Sequence, residues 1–302
     1  MSTELLYDRK VRVVQNTEDD SEGVVFMQFN VLADGLCDLR KDKGGFILSP
    51  PESLPWTYRR SLIVAEIERF APDVICLQEL DHMDWMQTHL SDLGYAGHFV
   101  SKPHSPCLEY SNNADGCAIF LNRAKGLHMK HMCSPRYDLE DGSPSSQIAL
   151  IGKIYQYDSP LFVVACTHLK ATKTAEGEAL RLSQVKQLHT HMLEHGDIPM
   201  IICGDFNAEP QDVDEVPALA IPEMLQCGWK SAYAVAGSEP AYTTWKIRPG
   251  VESRHVIDYI FYNDKLTLLS VVDAPTEIDD CRLPSLKYPS DHIALIAKFE
   301  IN

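Results

Sequence analysis

The stretch IPMIICGDFNAEP, Ile198 to Pro210, constrains the chain more than any other. Ile198 to Cys203 are mostly apolar and predict a strand buried on both faces, because so apolar a run leaves no side for water. That strand runs straight into Gly204, Asp205, Phe206 and Asn207, so a buried element ends by delivering a carboxylate and an amide. An Asx turn that simply closes the strand is the alternative, since Asp, Asn and Gly all favour such turns. The pattern recurs, each time with different polar residues. Asn30 follows VVFMQF, Glu79 follows DVICLQ, His168 follows LFVVACT, Asp258 sits within HVIDYIFY, and Ser290, Asp291 and His292 lead into IALIAKF.

At 302 residues the chain exceeds the usual single-domain size, yet it has no Pro/Gly/Ser-rich linker, internal repeat or low-complexity tract. A single domain over residues 24–302 is expected, preceded by a partly flexible N-terminal extension over residues 1–23. Hydrophobic residues make up 45% of the chain, which suffices for a large core. No run reaches the roughly 18 apolar residues that span a bilayer, so no membrane association is expected. The N-terminus lacks the basic-then-apolar order of a secretory signal. An intracellular, cytoplasmic protein is the expectation, or a mitochondrial one where a targeting segment has been removed. The nine cysteines are an odd number, and Cys76, Cys166 and Cys203, inside apolar strand patterns without C-x-x-C spacing, read as reduced core thiols and not as a zinc site or a disulfide frame. A formal net charge of −16 disfavours a general nucleic-acid binder, whose affinity comes chiefly from Lys and Arg on phosphates. It is no obstacle to a small phosphorylated substrate held by a few placed cations.

In chain order, Val11 to Gln15 predicts a short edge strand and Asn16 to Gly23 an acidic loop; Val24 to Asn30 is a strand. Tyr58 to Phe70 places Leu62, Ile63, Ile67 and Phe70 on one helical face, and Pro72 ends that helix. Asp73 to Glu79 is a buried strand, Met83 to Leu93 a helix closed by Gly94, and Tyr95 to Val100 and Gly116 to Asn122 are strands. After a loop from Ser134 to Ser145, Gln147 to Tyr155 and Leu161 to Thr167 form a hairpin pair. Ala175 to His195 is amphipathic and helical, and Pro217 to Gln226 is a further helix. Tyr242 to Lys246, Val256 to Tyr262 and Ile293 to Phe299 complete the strands. Strands in neighbouring runs, with few helices between them, favour an α/β fold built as a two-layer β-sandwich flanked by helices.

The polar residues suggest phosphate chemistry. Glu79 leaves a buried strand and needs either water or a cation, and Mg²⁺ prefers oxygen ligands with several retained waters. Asp258 within V-I-D-Y-I needs a partner if buried, and His292 is the candidate: an Asp that orients an imidazole makes it an acid/base or a cationic phosphate contact. A core Asp–His hydrogen bond without catalysis is the alternative. Asp205 and Asn207, two residues apart, share a side on extended backbone, where one can take a proton from water and the other donate to a phosphoryl oxygen. His168 can serve as a further donor, although a single histidine in such a place is more often structural. Neither a G-x-S-x-G elbow nor a P-loop is present, which argues against serine-hydrolase and nucleoside-triphosphate readings.

These motifs, namely FN at Phe29 and Asn30, LQE ending at Glu79, THL around His168, GDFN from Gly204, IDY around Asp258 and SDH from Ser290, occur in the order found in one superfamily. The chain resembles the endonuclease/exonuclease/phosphatase superfamily, and within it the branch that includes the carbon-catabolite-repressor deadenylases. KPHSPCLEY, NNADGCAIF, THLKA, GDFNAEP, YTTWKIR, SRHVIDYI and RLPSLKYPSDH match a dinucleotide-phosphatase member of that branch.

The resemblance implies a DNase I-like fold and a Mg²⁺-dependent phosphohydrolase, with Mn²⁺ as a substitute, that removes the 2′-phosphate of NADP⁺ and NADPH. It implies Glu79 as the metal ligand, with Asn30 helping and Asp291 near the metal. Asp205 would position or deprotonate water, Asn207 would hold the phosphoryl group, and His168 and His292, the latter oriented by Asp258, would stabilise charge on phosphate. Lys102, Lys170 and Arg248 match basic positions around the dinucleotide. Where the pattern continues THLKAR, this chain has THLKAT with Lys173 following, so a point charge replaces a guanidinium fork. An exposed, solvated side chain is the more frequent role for Lys173 and Lys246. A poly(A)-specific 3′-exoribonuclease and a 2′,5′-phosphodiesterase are alternatives within the same chemistry, and a catalytically dead scaffold is one outside it. A monomer is expected, with RNA a lesser partner than the dinucleotide.

Overall fold

A computed structural model describes residues 6–15 and 23–302. The chain runs through β1 (Val11–Val13), β2 (Val24–Asn30), helix α1 (Trp56–Phe70), β3 (Val74–Leu80), α2 (Met83–Asp92), β4 (Tyr95–Ser101) and β5 (Gly116–Asn122). There follow β6 (Leu127–Cys133), β7 (Arg136–Asp138), β8 (Pro144–Gln156), β9 (Ser159–His168), α3 (Ala175–Leu193), β10 (Met200–Asp205) and α4 (Ala220–Gln226). The last strands are β11 (Lys230–Ser231), β12 (Thr244–Arg248), β13 (Val251–His255), β14 (Asp258–Tyr262), β15 (Leu266–Val272) and β16 (Leu295–Ile301).

They form two mixed sheets, β1-β15-β16-β2-β3-β5-β4 and β11-β14-β10-β9-β8-β6, with β7 beside β8 and β12 and β13 as a separate hairpin. Side-chain parity explains why the sheets stack. In β2, Phe26 points into the inter-sheet core while Met27 and Phe29 point outward beneath α1 and α2. In β10, Ile201 and Cys203 point inward and Met200 and Ile202 outward beneath α3 and α4. Leu62, Ile63 and Ile67 of α1 and Leu90 of α2 cover the first sheet; Val185, Leu188 and Met192 of α3 cover the second. Each such side chain stabilises the fold by about 1.5–3 kcal/mol on burial. The two-layer sandwich flanked by helices is therefore the architecture that the strand runs predict.

Local signals set the ends of α1. Asp34 Oδ1 accepts from the Trp56 amide at 3.1 Å, meeting one of the free N–H groups of the first turn. At the other end Ala71 takes a left-handed conformation, φ 41°, and Pro72 cannot continue the helix. Several elements differ from expectation. The loop expected from Ser134 to Ser145 contains β7 and the start of β8. Edge strand β6, with the sequence LHMKHMC, is mostly solvated, and its alternation is confined to Leu127 and Met129 before a register shift between Lys130 and Cys133 breaks it. In β15 a bulge between Leu268 and Ser270 breaks the period of two. The acidic loop expected over Asn16 to Gly23 lies outside the described residues except for Gly23.

Residues 6–15 pack on the domain. Strand β1 pairs antiparallel with β15, and Tyr7 hydroxyl lies 2.8 Å from Ser285 Oγ. Arg9 Nη1 donates to Glu66 Oε1 at 2.8 Å, with both side chains fully buried. Tyr288 hydroxyl donates to the same oxygen at 3.1 Å. Removing one partner of a buried pair strands the other charge, so Glu66→Ala should cost about 3–5 kcal/mol. Urea unfolding followed by tryptophan fluorescence checks this; a loss below about 1 kcal/mol would show that Arg9 finds water instead.

Candidate active site

Sheet register assembles the polar residues. In the second sheet Asp205 is level with His168 of parallel β9 and with Asp258 of antiparallel β14. Facing them in the first sheet, Asn30 is level with Gln78. Antiparallel β16 begins level with Gln28, so His292, just before it, lies at this same end. Each inward-facing row thus runs from apolar to polar: Phe26, Gln28, Asn30 in β2; Phe162, Val164, Cys166, His168 in β9; and Ile201, Cys203, Asp205 in β10. Gly204 permits this approach, since a Cβ there would sit 2.6 Å from the Thr167 carbonyl oxygen.

Asp205 is buried at the centre. Its Oδ2 accepts from Asn30 Nδ2 at 2.9 Å and lies 3.6 Å from His168 Nε2 and 3.8 Å from His292 Nε2. Burial and the neighbouring Asp258 raise its pKa, against the pull of His292, His168 and Asn30. Asn30 Nδ2 also donates to Glu79 Oε1 at 3.0 Å, and the Ala33 amide donates to Glu79 Oε2 at 3.2 Å. Glu79, at the irregularity between Leu77 and Leu80 near the end of β3, has φ 55°, and Asn207, just past β10, has φ 50°. Asn207 is therefore not on the extended backbone that carries Asp205. The Asn207 amide donates to Asp205 Oδ1 at 2.9 Å in an Asx turn, which frees Oδ2 for the centre, and Asn207 Nδ2 donates to the Leu169 carbonyl at 3.2 Å.

The two imidazoles are held in opposite states. Burial opposes charge on His292, yet Asp258, Asp291 and Asp205 raise its pKa to about 9. Its Nδ1–H donates to Asp258 Oδ2 at 2.8 Å, and Asp258 Oδ1 accepts from Gln28 Nε2 at 2.7 Å. Burial and then Lys102 push His168 down to about 4. Lys102 Nζ donates to His168 Nδ1 at 3.1 Å, which puts the imidazole proton on Nε2, facing Asp205. Lys102 is itself paired with Asp115 Oδ2 at 2.8 Å, so it orders His168 in addition to any contact with substrate.

Glu79, His168 and Asp205 offer ligand atoms that all lie within 4.8 Å of one another. His168 Nε2 bears a proton, which leaves two facing carboxylates with the Asn30 amide between them. That donor set fits a hard divalent cation that keeps several waters. Asp205, Asp258 and His292 form a second such group, but Asp258 is already taken by Gln28 and His292.

Asp291 turns toward cations: it is ion-paired with Lys246 and lies 3.9 Å from Arg248 Nη2. Burial opposes the ionised carboxylate, but Lys246, His292 and Arg248 hold its pKa well below the usual range. Lys246 is thus part of the site rather than a solvated side chain. Its alternation with Arg248 along β12 was the available signal. Lys173 Nζ lies 3.0 Å from His255 Nε2, and Lys170 is half-buried beyond Leu169. Gln28, Asp115, His255 and Glu209 also escape sequence reading; only Gln28, two residues before Asn30, had a periodic signal.

Two sheets stacked face to face, with carboxylate, amide and imidazole side chains gathered at one end, define a hydrolase of the endonuclease/exonuclease/phosphatase class. The sequence matches the Endonuclease/Exonuclease/phosphatase family over residues 27–292, and the chain belongs to that family. It is similar to nocturnin from Homo sapiens, 40% identical over 285 residues that cover 90% of this chain and 64% of the relative. The Ccr4 3′-5′-exoribonuclease subunit of the CCR4-Not complex from Debaryomyces hansenii is 27% identical, covering 95% of this chain and 40% of the relative. The solved human Nocturnin catalytic domain with bound sulfate anion has a TM-score of 0.76 at 32% identity, covering 97% of this chain and 98% of that one. The chain spans about half to two thirds of the length of the curated nocturnins from Drosophila melanogaster and Homo sapiens. No helix among the described residues is long and apolar enough to cross a membrane.

The two histidines set a pH window. His292 is raised from 6.5 to about 9, so the stability it lends is full below 6.5 and is lost as pH rises through 9. His168 is lowered from 6.5 to about 4, so its contribution is present above 6.5 and is lost as pH falls toward 4. Proton-detected NMR of the imidazoles in EDTA should show one titrating near the upper value, moving down in Asp258→Asn. An unmoved midpoint in that variant would refute the pairing.

Proposed function

We propose that the chain is a Mg²⁺-dependent phosphohydrolase that removes the 2′-phosphate of NADP⁺ and NADPH, giving NAD⁺ and NADH. The observation that supports it most is the buried Asp205, set between a charged His292 and a neutral His168 and facing Glu79. Glu79 and Asp205 would hold Mg²⁺, which would supply Lewis-acid neutralisation of charge on the phosphoryl oxygens. Asp205, whose Oδ2 faces the centre, accepts a proton from the attacking water. His292 presents Nε2–H of an imidazolium to the phosphoryl group, and Asp258 holds it in that orientation. His168 presents Nε2–H of a neutral imidazole from the other side. Asn207 Nδ2 donates one hydrogen to Leu169 and keeps a second to offer a phosphoryl oxygen. Water adds to phosphorus, the bond to the 2′ oxygen breaks, and a proton passes to that oxygen. Positioning and charge stabilisation are what phosphoryl transfer chiefly requires.

A small substrate suits the charge distribution. The net charge of −16 disfavours a long polyanion, while Lys173, Lys246 and Arg248 gather beside the centre. The bound sulfate in the human relative is a tetrahedral dianion of phosphate's shape. The similarity to an exoribonuclease over nearly the whole chain favours shortening of poly(A) as the second reading. Phosphate release from NADPH in Mg²⁺ but not in EDTA, without AMP release from oligo(A), is the expected result; AMP from oligo(A) alone would establish the second reading. Glu79→Gln should lower turnover of NADPH by about two orders of magnitude or more, with circular dichroism unchanged. Full activity in that variant would overturn the metal assignment.

A further inference from the structure

A cavity of about 930 Å³ opens beside the centre, with Asn207, Lys173, Glu209 and His255 in its wall. That is ample for the half of a dinucleotide that does not react. Most charges lining it are already committed. Glu178 accepts from Arg181 Nε at 2.6 Å and from the Leu219 and Ala220 amides, both at 2.8 Å. Glu252 accepts from Trp245 Nε1 at 2.7 Å and from Arg282 Nε at 2.8 Å.

Lys173 is different, for its ammonium is held by an imidazole. Glu209 Oε1 accepts from His255 Nδ1 at 2.6 Å while Glu209 Oε2 accepts from the Val256 amide at 3.2 Å. That fixes the tautomer with Nδ1 protonated, so Nε2 presents a lone pair to Lys173 Nζ at 3.0 Å. One N–H of the ammonium is used in this way and two remain. Among the described residues Lys173 has no carboxylate at ion-pair distance, whereas Lys102, Arg181 and Lys246 each have one. Burial and the nearby Lys246 and Arg248 lower the pKa of Lys173, which reflects like charges gathered on one side of the site. Asp291 is the only carboxylate paired with Lys246 and Arg248 among the described residues. Lys173 lies five residues beyond His168, and His255 lies three before Asp258, so the device is anchored to the strands of the catalytic centre.

We infer that Glu209, His255 and Lys173 form a specificity device that selects substrates bearing a second anionic group, a diphosphate, apart from the phosphoryl group being removed. Lys173 is the contact; Glu209 and His255 are positioning residues. The inference rests on the phosphohydrolase reading above, in which NADP⁺ offers a bridging diphosphate and 2′-AMP offers only the reacting phosphate.

The test compares NADP⁺ with 2′-AMP as substrates of the full chain. In Lys173→Met and His255→Leu the ratio of kcat/KM for NADP⁺ to that for 2′-AMP should fall about tenfold or more, as expected for loss of a hydrogen bond to a charged group. His255→Gln, whose amide oxygen can accept from the ammonium, should restore most of the ratio. An unchanged ratio, with both substrates impaired alike, would overturn the device and leave these residues structural. A separate readout uses equilibrium dialysis in EDTA with ADP and AMP as probes. Wild type should prefer ADP, and Lys173→Met should not; equal binding of both by wild type would also overturn it. If wild type releases no phosphate from NADP⁺ yet keeps the ADP preference, the phosphatase reading falls and the device stands.

Discussion

Asp205 is a carboxylate buried between two sheets, and its hydrogen bond with Asn30 bridges them. An ionised carboxylate without partners in such a place is strongly disfavoured, so the arrangement holds only while both sheets keep register. Asn30 comes from the first sheet, His168 and Asp258 from the strands flanking Asp205 in the second, and His292 from the chain entering β16. The apolar rows behind them, from Phe26, Cys203 and their neighbours, set the distance between the sheets. Burial of those rows fixes the polar ends, and the satisfied polar ends in turn reject a slip of one residue.

Two chemically identical side chains thereby acquire different duties. His292 faces three carboxylates and stays charged at neutral pH, while His168 faces an ammonium and stays neutral. Environments that push like groups apart in this way are typical of sites that manage proton and charge movement. The separation depends on partners outside the centre, Gln28 behind Asp258 and Asp115 behind Lys102. An account limited to the residues nearest the phosphoryl group would miss what sets their charge.

The sandwich and the strand-end residues were legible because burial writes a period of two into each strand and ends it in a polar side chain. Asn30, Glu79, His168, Asp205, Asp258 and His292 converge for that reason. Of the outlying hairpin, β12 was legible as part of the strand expected from Tyr242 to Lys246, whereas β13, VESRH, is mostly solvated and shows no apolar code. Asp115 and Glu209 lie in loops, where only the folded chain reveals which cation or imidazole they meet. The extended backbone expected between Asp205 and Asn207 gave way to an Asx turn, because the turn satisfies an amide that burial would otherwise leave unpaired.

The left-handed backbone at Glu79 and Asn207 has a consequence for how this protein can be altered. Asparagine tolerates that conformation, but glutamate pays a steric penalty of order 1 kcal/mol or more that glycine would not. Glycine at residue 79 would relieve the backbone while deleting the carboxylate, so selection for thermal robustness and selection for turnover point in opposite directions at this position. A library screened on melting temperature alone would drift toward an inert scaffold.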